Sequence, residues 1–303
     1  MLQRTIKKEI IISGIGLHSG CDVLLRLIPA TNNTGIVFKR VDIQDSKKQL
    51  IPANYLIVRN TKLCTMLIND YGSSVGTVEH LMSALAFFKI DNLIIELNAP
   101  EVPVLDGSAI EFVNAINNVG IVELSAHKKY IKILKPINLI TDKYSFKVLP
   151  AEKFIFNMAI NFENAIIGES HYKYVIDETD YIVDIASART FCFKEEIDYL
   201  QSVGLALGGT LSNAIVVDKD KVLNPSGLRY VDEFVRHKLL DAIGDLYMCG
   251  CEIKGEFFGC KVGHEANNLI LREIFNDPTC YMIEDEIISY DKPFTITEKD
   301  IIY

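Results

Sequence analysis

The chain has 303 residues, 49% of them hydrophobic and 23% charged, which is long enough for two cores and too apolar for a disordered chain. A net charge of −9, from 31 basic and 40 acidic residues, excludes broad electrostatic binding to nucleic acid or an anionic membrane, so a phosphate-bearing ligand must be held by a few placed cations. No run of roughly 18 apolar residues occurs, so no integral membrane segment is expected. The charged start MLQRTIKKEI lacks a signal-peptide cleavage site, and seven cysteines suit a reducing compartment. A cytoplasmic monomer is therefore expected.

Alternating apolar runs predict strands near 6–13, 22–28 and 34–41, with more around 54–68. The segment from Thr77 to Ala86 has helical composition, with Thr77 placed to cap it. A strand follows at 92–97, and Ser108-Ala109-Ile110-Glu111 reads as a capping box opening another helix. The polar stretch Ser125-Ala126-His127-Lys128-Lys129 closes this half. Strands at 131–139, 144–149 and 154–162 begin the second half. A helix over 194–202, a turn at Gly208-Gly209-Thr210, a strand at 214–217, a helix over 230–247, a strand at 251–258 and a helix over 264–275 complete it. Val78-Glu79-His80 aligns with Val235-Arg236-His237, which leaves an internal duplication open. Two similar halves facing each other would bring one histidine from each helix to a shared site.

The most informative segment runs from Asp232 to Asp245. Residues four apart on a helix are neighbours, so Glu233, His237, Asp241 and Asp245 form one polar row. A solvated face is the bland reading, but Val235, Leu239, Leu240, Ala242, Ile243 and Leu246 make this helix largely buried, and a buried acid needs a partner. If His80 joins His237 and Asp241, three protein ligands leave a fourth position open, as catalytic zinc requires. Glu79, in the first turn of its helix, is suited to act as general base, although a glutamate there also serves simply to stabilise a helix end. His264, after Gly263 at a helix start, is a candidate acid or a surface histidine. Ser187-Ala188-Arg189-Thr190-Phe191 ends a predicted strand with a hydroxyl and a ring. Gly14-Ile15-Gly16 lacks the third glycine of a dinucleotide fingerprint, and no phosphate-binding loop of the nucleotide triphosphatases occurs. Cys249, Cys251 and Cys260 have the wrong spacing for a zinc ribbon.

Several ordered motifs extend this reading: Gly16-Leu17-His18-Ser19-Gly20, Thr77-Val78-Glu79-His80-Leu81, Asn98-Ala99-Pro100-Glu101, Leu105-Asp106-Gly107-Ser108-Ala109, Ser187 to Phe191, Phe234-Val235-Arg236-His237-Lys238, and Gly263-His264 through Asn267-Asn268. From about residue 1 to 275 the chain resembles the UDP-3-O-acyl-N-acetylglucosamine deacetylase family. The resemblance implies an α+β fold of two similar domains, 1–126 and 127–303, each a small mostly antiparallel sheet packed on helices, with the active site between them. It assigns Zn2+ to His80, His237 and Asp241, the base to Glu79 and the acid to His264. By the same analogy Thr190 helps stabilise the oxyanion, Asp245 orients and charges His264, Phe191 and Lys238 contact substrate, and Lys261 lies near the diphosphate. The stretch from about 192 to 223 would be an insert forming a hydrophobic passage for the acyl chain, a role that Leu200, Leu205, Leu207 and Leu211 suit. Ser212 and Val262 depart from the family's pattern.

The implied substrate is UDP-3-O-acyl-N-acetylglucosamine, and the implied reaction is hydrolysis of its N-acetyl group, the committed step of lipid A synthesis. A zinc amidase acting on a different N-acetyl sugar and a non-catalytic metal-containing binding module are the alternatives.

Overall fold

The computed structural model describes residues 1–285; the remainder of the expected second domain, 286–303, lies outside the described residues. The first half contains β1 (Leu2–Ile6), β2 (Ile10–Ile15), β3 (Asp22–Pro29), β4 (Ile36–Arg40), the short helix α1 (Ser46–Gln49), β5 (Leu50–Pro52), β6 (Val58–Asn60), β7 (Met66–Ile68), β8 (Ser74–Val75), α2 (Glu79–Phe87), β9 (Leu93–Leu97), α3 (Ile110–Val119) and β10 (Ile121–His127). Strands β2-β3-β9-β4-β5 form one sheet, antiparallel except where β4 meets β9. Alternate residues of β3 (Val23, Leu25, Leu27) and β9 (Leu93, Ile95, Leu97) are buried, as the two-residue period of a strand with one covered face requires.

The second half contains β11 (Lys129–Ile133), β12 (Ile137–Ile140), β13 (Ser145–Leu149), β14 (Phe154–Asn161), β15 (Glu169–Val175), the short helix α4 (Tyr181–Asp184), β16 (Phe191–Phe193), α5 (Lys194–Ser202), β17 (Ile215–Asp218), β18 (Lys221–Val222), α6 (Glu233–Leu246), β19 (Glu252–Cys260), α7 (His264–Asn276) and β20 (Tyr281–Asp285). Its sheet is organised on β19, which runs parallel to β11 and β14 and antiparallel to β13. Strands β16-β17-β18 make a separate small sheet against which α5 packs. The fold is therefore α+β, with small mixed sheets packed on helices.

Three local expectations are corrected. Thr77 does not cap α2: its backbone is left-handed, at φ 54°, and its hydroxyl donates to Glu101 Oε1 at 2.8 Å. Nor does a capping box open α3, because the Ser108 hydroxyl donates to Asp106 Oδ1 at 2.8 Å and the helix starts at Ile110. The polar stretch at 125–129 carries the end of β10, which pairs with β1, into the start of β11, and it buries Lys128, whose ammonium donates to Asp91 at 2.7 Å and to the Lys89 carbonyl at 2.8 Å. Residues 187–190 precede a strand rather than end one. For Thr77 and Ser108 a distant or neighbouring partner took the side chain that local pattern had assigned elsewhere. Two long predicted strands are also split, one at the exposed Lys7-Lys8 and one before Ile137, where Pro136 has no N–H to donate to a ladder.

Helix α6 lies on β14 and β15 with one face and against α2 and α7 with others. Where α2 and α6 cross, Gly244 has no space for a side chain: a methyl there would run into the carbonyl oxygen of Glu79 and the amide of Ser83. Gly244→Ala should separate the two helices, at a cost near the upper end of the roughly 1–3 kcal/mol of overpacking. Denaturant unfolding measures this directly, and an unchanged midpoint would show slack at the crossing.

Candidate metal centre and active site

Glu79 and His80 open α2, while His237 and Asp241 stand one turn apart on α6; all four are buried. His80 Nε2 lies 3.5 Å and His237 Nε2 3.3 Å from Asp241 Oδ1. The two imidazoles meet edge to face with centroids 5.0 Å apart. Among the described residues this is the one group of three or more His, Cys, Asp or Glu side chains whose ligand atoms converge, all within 4.8 Å. The cysteines are free thiols, and Cys249 donates to the Cys251 carbonyl.

The donor set fits a metal ion. His237 Nδ1–H donates to the Ala188 carbonyl at 3.0 Å, which fixes the tautomer and turns Nε2 toward Asp241. Burial pushes the His237 pKa down to about 3, so the ring is a neutral ligand. Burial opposes ionisation of Asp241, yet His237, Lys238 and His80 hold its carboxyl well below the usual range. Lys238 Nζ donates to Asp241 Oδ2 at 3.0 Å, whereas Oδ1 is buried with no hydrogen-bond partner. An ionised oxygen left bare in the interior is costly, and a cation satisfies it.

The expected polar row of α6 does not share one direction. Each four-residue step turns about 40° around a helix with 3.6 residues per turn, so its ends diverge. Glu233 turns away to Arg189, accepting from Nε at 2.9 Å and from the Arg189 amide at 3.0 Å. Asp245 faces His264, the first residue of α7, and accepts from its Nδ1–H at 2.9 Å. Burial lowers the His264 pKa, but Asp245 and Glu79 overcome this and raise it to about 9. Burial likewise raises Glu79 to about 7, against the pull of His264 and His80. Glu79 Oε1 lies 3.8 Å from His264 Nε2. A carboxylate able to take a proton and an imidazolium able to give one thus flank the ligand group.

A cavity of about 430 Å³ brings together Glu79, His80, Thr190, Phe191, His237, Lys238, Asp241, Lys261 and His264. Of the sequence-derived site residues only Asp245 is absent from its walls, being behind His264. Lys238 Nζ stands 5.5 Å over the Phe191 ring. Sequence reasoning missed Lys143, which joins Lys238 and Lys261 on the wall from the turn after β12. It also missed the part played by Glu101, whose carboxylate accepts from the His18 and Ser19 amides and from Thr77, pinning the Gly16–Gly20 loop against the start of α2.

A second cavity, about 460 Å³, shares Leu17, His18, Leu63, Thr190 and Phe191 with the first and continues between Ile197, Leu200, Leu211, Ala214, Val216 and Leu223. Leu205 and Leu207 do not line it. Residues 207 and 208 are tied by backbone hydrogen bonds to Leu17 and His18, which leaves Leu207 on the surface. Ser212 is exposed, and Val262 is buried over Gly259.

Three converging ligand groups open to a cavity and flanked by an acid–base pair are the layout of a hydrolytic metalloenzyme. The family model described as UDP-3-O-acyl N-acetylglycosamine deacetylase matches residues 3–276. The chain is 44% identical over 303 residues to the UDP-3-O-acyl-N-acetylglucosamine deacetylase of Neisseria meningitidis serogroup C (strain 053442), covering 99% of each chain. It is 45% identical over 294 residues to the protein of that name from Shewanella frigidimarina (strain NCIMB 400), covering 96% of this chain and 94% of the other. With that from Histophilus somni (strain 129Pt) it shares 46% over 291 residues, covering 95% and 93%. The chain belongs to the UDP-3-O-acyl N-acetylglycosamine deacetylase family.

Metal analysis of His237→Ala should show loss of the bound ion, with the fold retained by circular dichroism. Full stoichiometry in that variant would put the metal elsewhere.

Proposed function

We propose that this protein is a zinc-dependent deacetylase of the cytoplasm, removing the N-acetyl group of UDP-3-O-acyl-N-acetylglucosamine in lipid A synthesis. The carrying observation is the convergence of His80, His237, Asp241, Glu79 and His264 on one cavity that continues into an apolar one. The same reading divides the chain at about residue 126, with one histidine ligand from each side. The 192–223 segment then supplies the acyl passage, through Ile197, Leu200 and Leu211 rather than Leu205 and Leu207.

His80, His237 and Asp241 would hold the zinc. When bound, that ion supplies Lewis-acid polarisation of the amide carbonyl and a lowered pKa for water. Glu79 takes the proton of the attacking water. The Thr190 side chain, on the cavity wall beside Phe191, donates to the oxyanion as the carbonyl carbon becomes tetrahedral. His264, protonated and oriented by Asp245, gives its proton to the departing nitrogen, so acetate and the free amino sugar result. Lys143, Lys238 and Lys261 are the placed cations for the diphosphate that a chain of net charge −9 requires. Phe191 offers a flat apolar wall for the sugar, with Lys238 above it. The apolar second cavity favours an acylated sugar over an unacylated one.

Glu79→Gln should retain fold, metal and most substrate affinity while turnover drops about 10²–10⁴-fold, the usual share of a positioned base. Near-normal kcat in the zinc-loaded variant would remove Glu79 from that role.

The pH dependence follows from His264. A donor whose pKa is raised to about 9 stays protonated below that pH and loses its proton above it. Activity should therefore decline through about pH 9, and His264→Ala should lower kcat and abolish that limb. An alkaline limb that persists in the variant would assign it to another group.

Leu211→Asp, on the wall of the second cavity, should weaken long-chain substrates far more than truncated ones. Equal losses for the two would make this cavity ordinary core packing.

A further inference from the structure

Thr65 immediately precedes β7 and is 2% exposed, far in sequence from α6 and α7. Its backbone N–H donates to Glu79 Oε2 at 3.1 Å, and its hydroxyl donates to Asp245 Oδ1. The second oxygen of Asp245 accepts from His264 Nδ1–H and from the Asn267 amide, each at 2.9 Å. With His264 Nε2 3.8 Å from Glu79 Oε1, the contacts close into a ring through Glu79, Thr65, Asp245 and His264.

We propose that Thr65 is a positioning residue that couples the proton-accepting and proton-donating sides of the site through this ring. The proposal rests on the reading of Glu79 as base and His264 as acid. One residue reaches both sides because its two donors point in different directions, the amide along the backbone to α2 and the hydroxyl across to α6.

Two physical consequences follow. Pinning Oδ1 of Asp245 fixes the carboxylate rotation, so that Oδ2 stays on His264 Nδ1 and the ring presents Nε2 to the cavity. The O–H donor also draws charge from the carboxylate. Without it, Asp245 would hold the imidazolium proton more tightly and His264 would be a poorer acid. The other charged or titratable groups facing His264 are Glu79 of α2, Asp241 of α6 and His18 of the loop after β2. None of these replaces the Thr65 hydroxyl, since none donates to Asp245 Oδ1.

The test is Thr65→Val in the zinc-loaded protein, which keeps the shape and the backbone N–H and removes only the O–H. kcat should fall about 10- to 100-fold, the scale of one lost hydrogen bond to a charged group, with KM nearly unchanged. The His264 titration, followed by NMR of its ring, should move to higher pH, and Thr65→Ser should restore both. Unchanged kcat and an unchanged His264 titration in a folded, zinc-loaded variant would overturn the proposal. So would a loss of activity that tracks loss of zinc, which would make Thr65 a support of the metal group. If the valine variant does not fold, Thr65→Ala is measured in the same way, and the same outcomes support or overturn the proposal. A parent enzyme that releases no acetate would defeat the functional reading instead, and the His264 titration would still decide the part played by Thr65.

Discussion

The contact between the Glu79 carbonyl and the bare α-carbon of Gly244 sets the position of everything else at the site. Because no side chain separates α2 from α6 there, the first turn of one helix comes within ligand distance of the middle of the other. His80 then reaches Asp241, and Glu79 reaches His264, although these pairs are more than a hundred residues apart. Interiors this closely packed transmit small displacements, so a shift at the crossing would open the His80–His237–Asp241 group and the Glu79–His264 pair together. Strands β14 and β15 back α6, and α3 packs against α2.

Around that crossing the chain buries several charged side chains, and most are hydrogen-bonded to specific partners. Glu233 takes Arg189 and the Arg229 amide, Asp245 takes Thr65, His264 and Asn267, and Asp91 takes Lys128. Asp241 is different, with one oxygen on Lys238 and the other bare. Glu252 Oε2 is also buried without a hydrogen bond but has Lys89 Nζ 3.5 Å away, whereas Asp241 Oδ1 has two imidazole nitrogens beside it, a setting that suits a cation. The Glu233–Arg189 pair also has a positional effect: it clamps the strand entrance at 189–190 to α6, and so keeps the Ala188 carbonyl on His237 and Thr190 on the cavity wall.

The same economy appears at the cavity mouth. With acidic residues in excess overall, Lys143, Lys238 and Lys261 reach one cavity from the turn after β12, from α6 and from the turn after β19. Lys261 is presented by a left-handed backbone, φ 56°, shortly before the helix that starts with His264. Lys261 and His264 thus arrive at the cavity from one short turn.

What the sequence by itself determined was whatever repeats on the scale of one helical turn or one strand pleat. His237 and Asp241 had to share a face of α6, the apolar residues around them had to bury it, and alternation placed β3, β9 and β14, because backbone hydrogen bonding imposes those periods wherever the side chains agree with them. Motif order then extended the reading to Thr190, Phe191, Lys238 and Lys261. Only the tertiary structure decided which way a shared row would turn at its ends, separating Glu233 from Asp245, and which leucines of the 192–223 segment would face inward. Only it could take Thr77 and Ser108 from their expected caps, or give Thr65 its two carboxylates. Those outcomes depend on which hydrogen-bond partners the folded chain brings within reach, and a short polar side chain carries no local mark of which one it will meet.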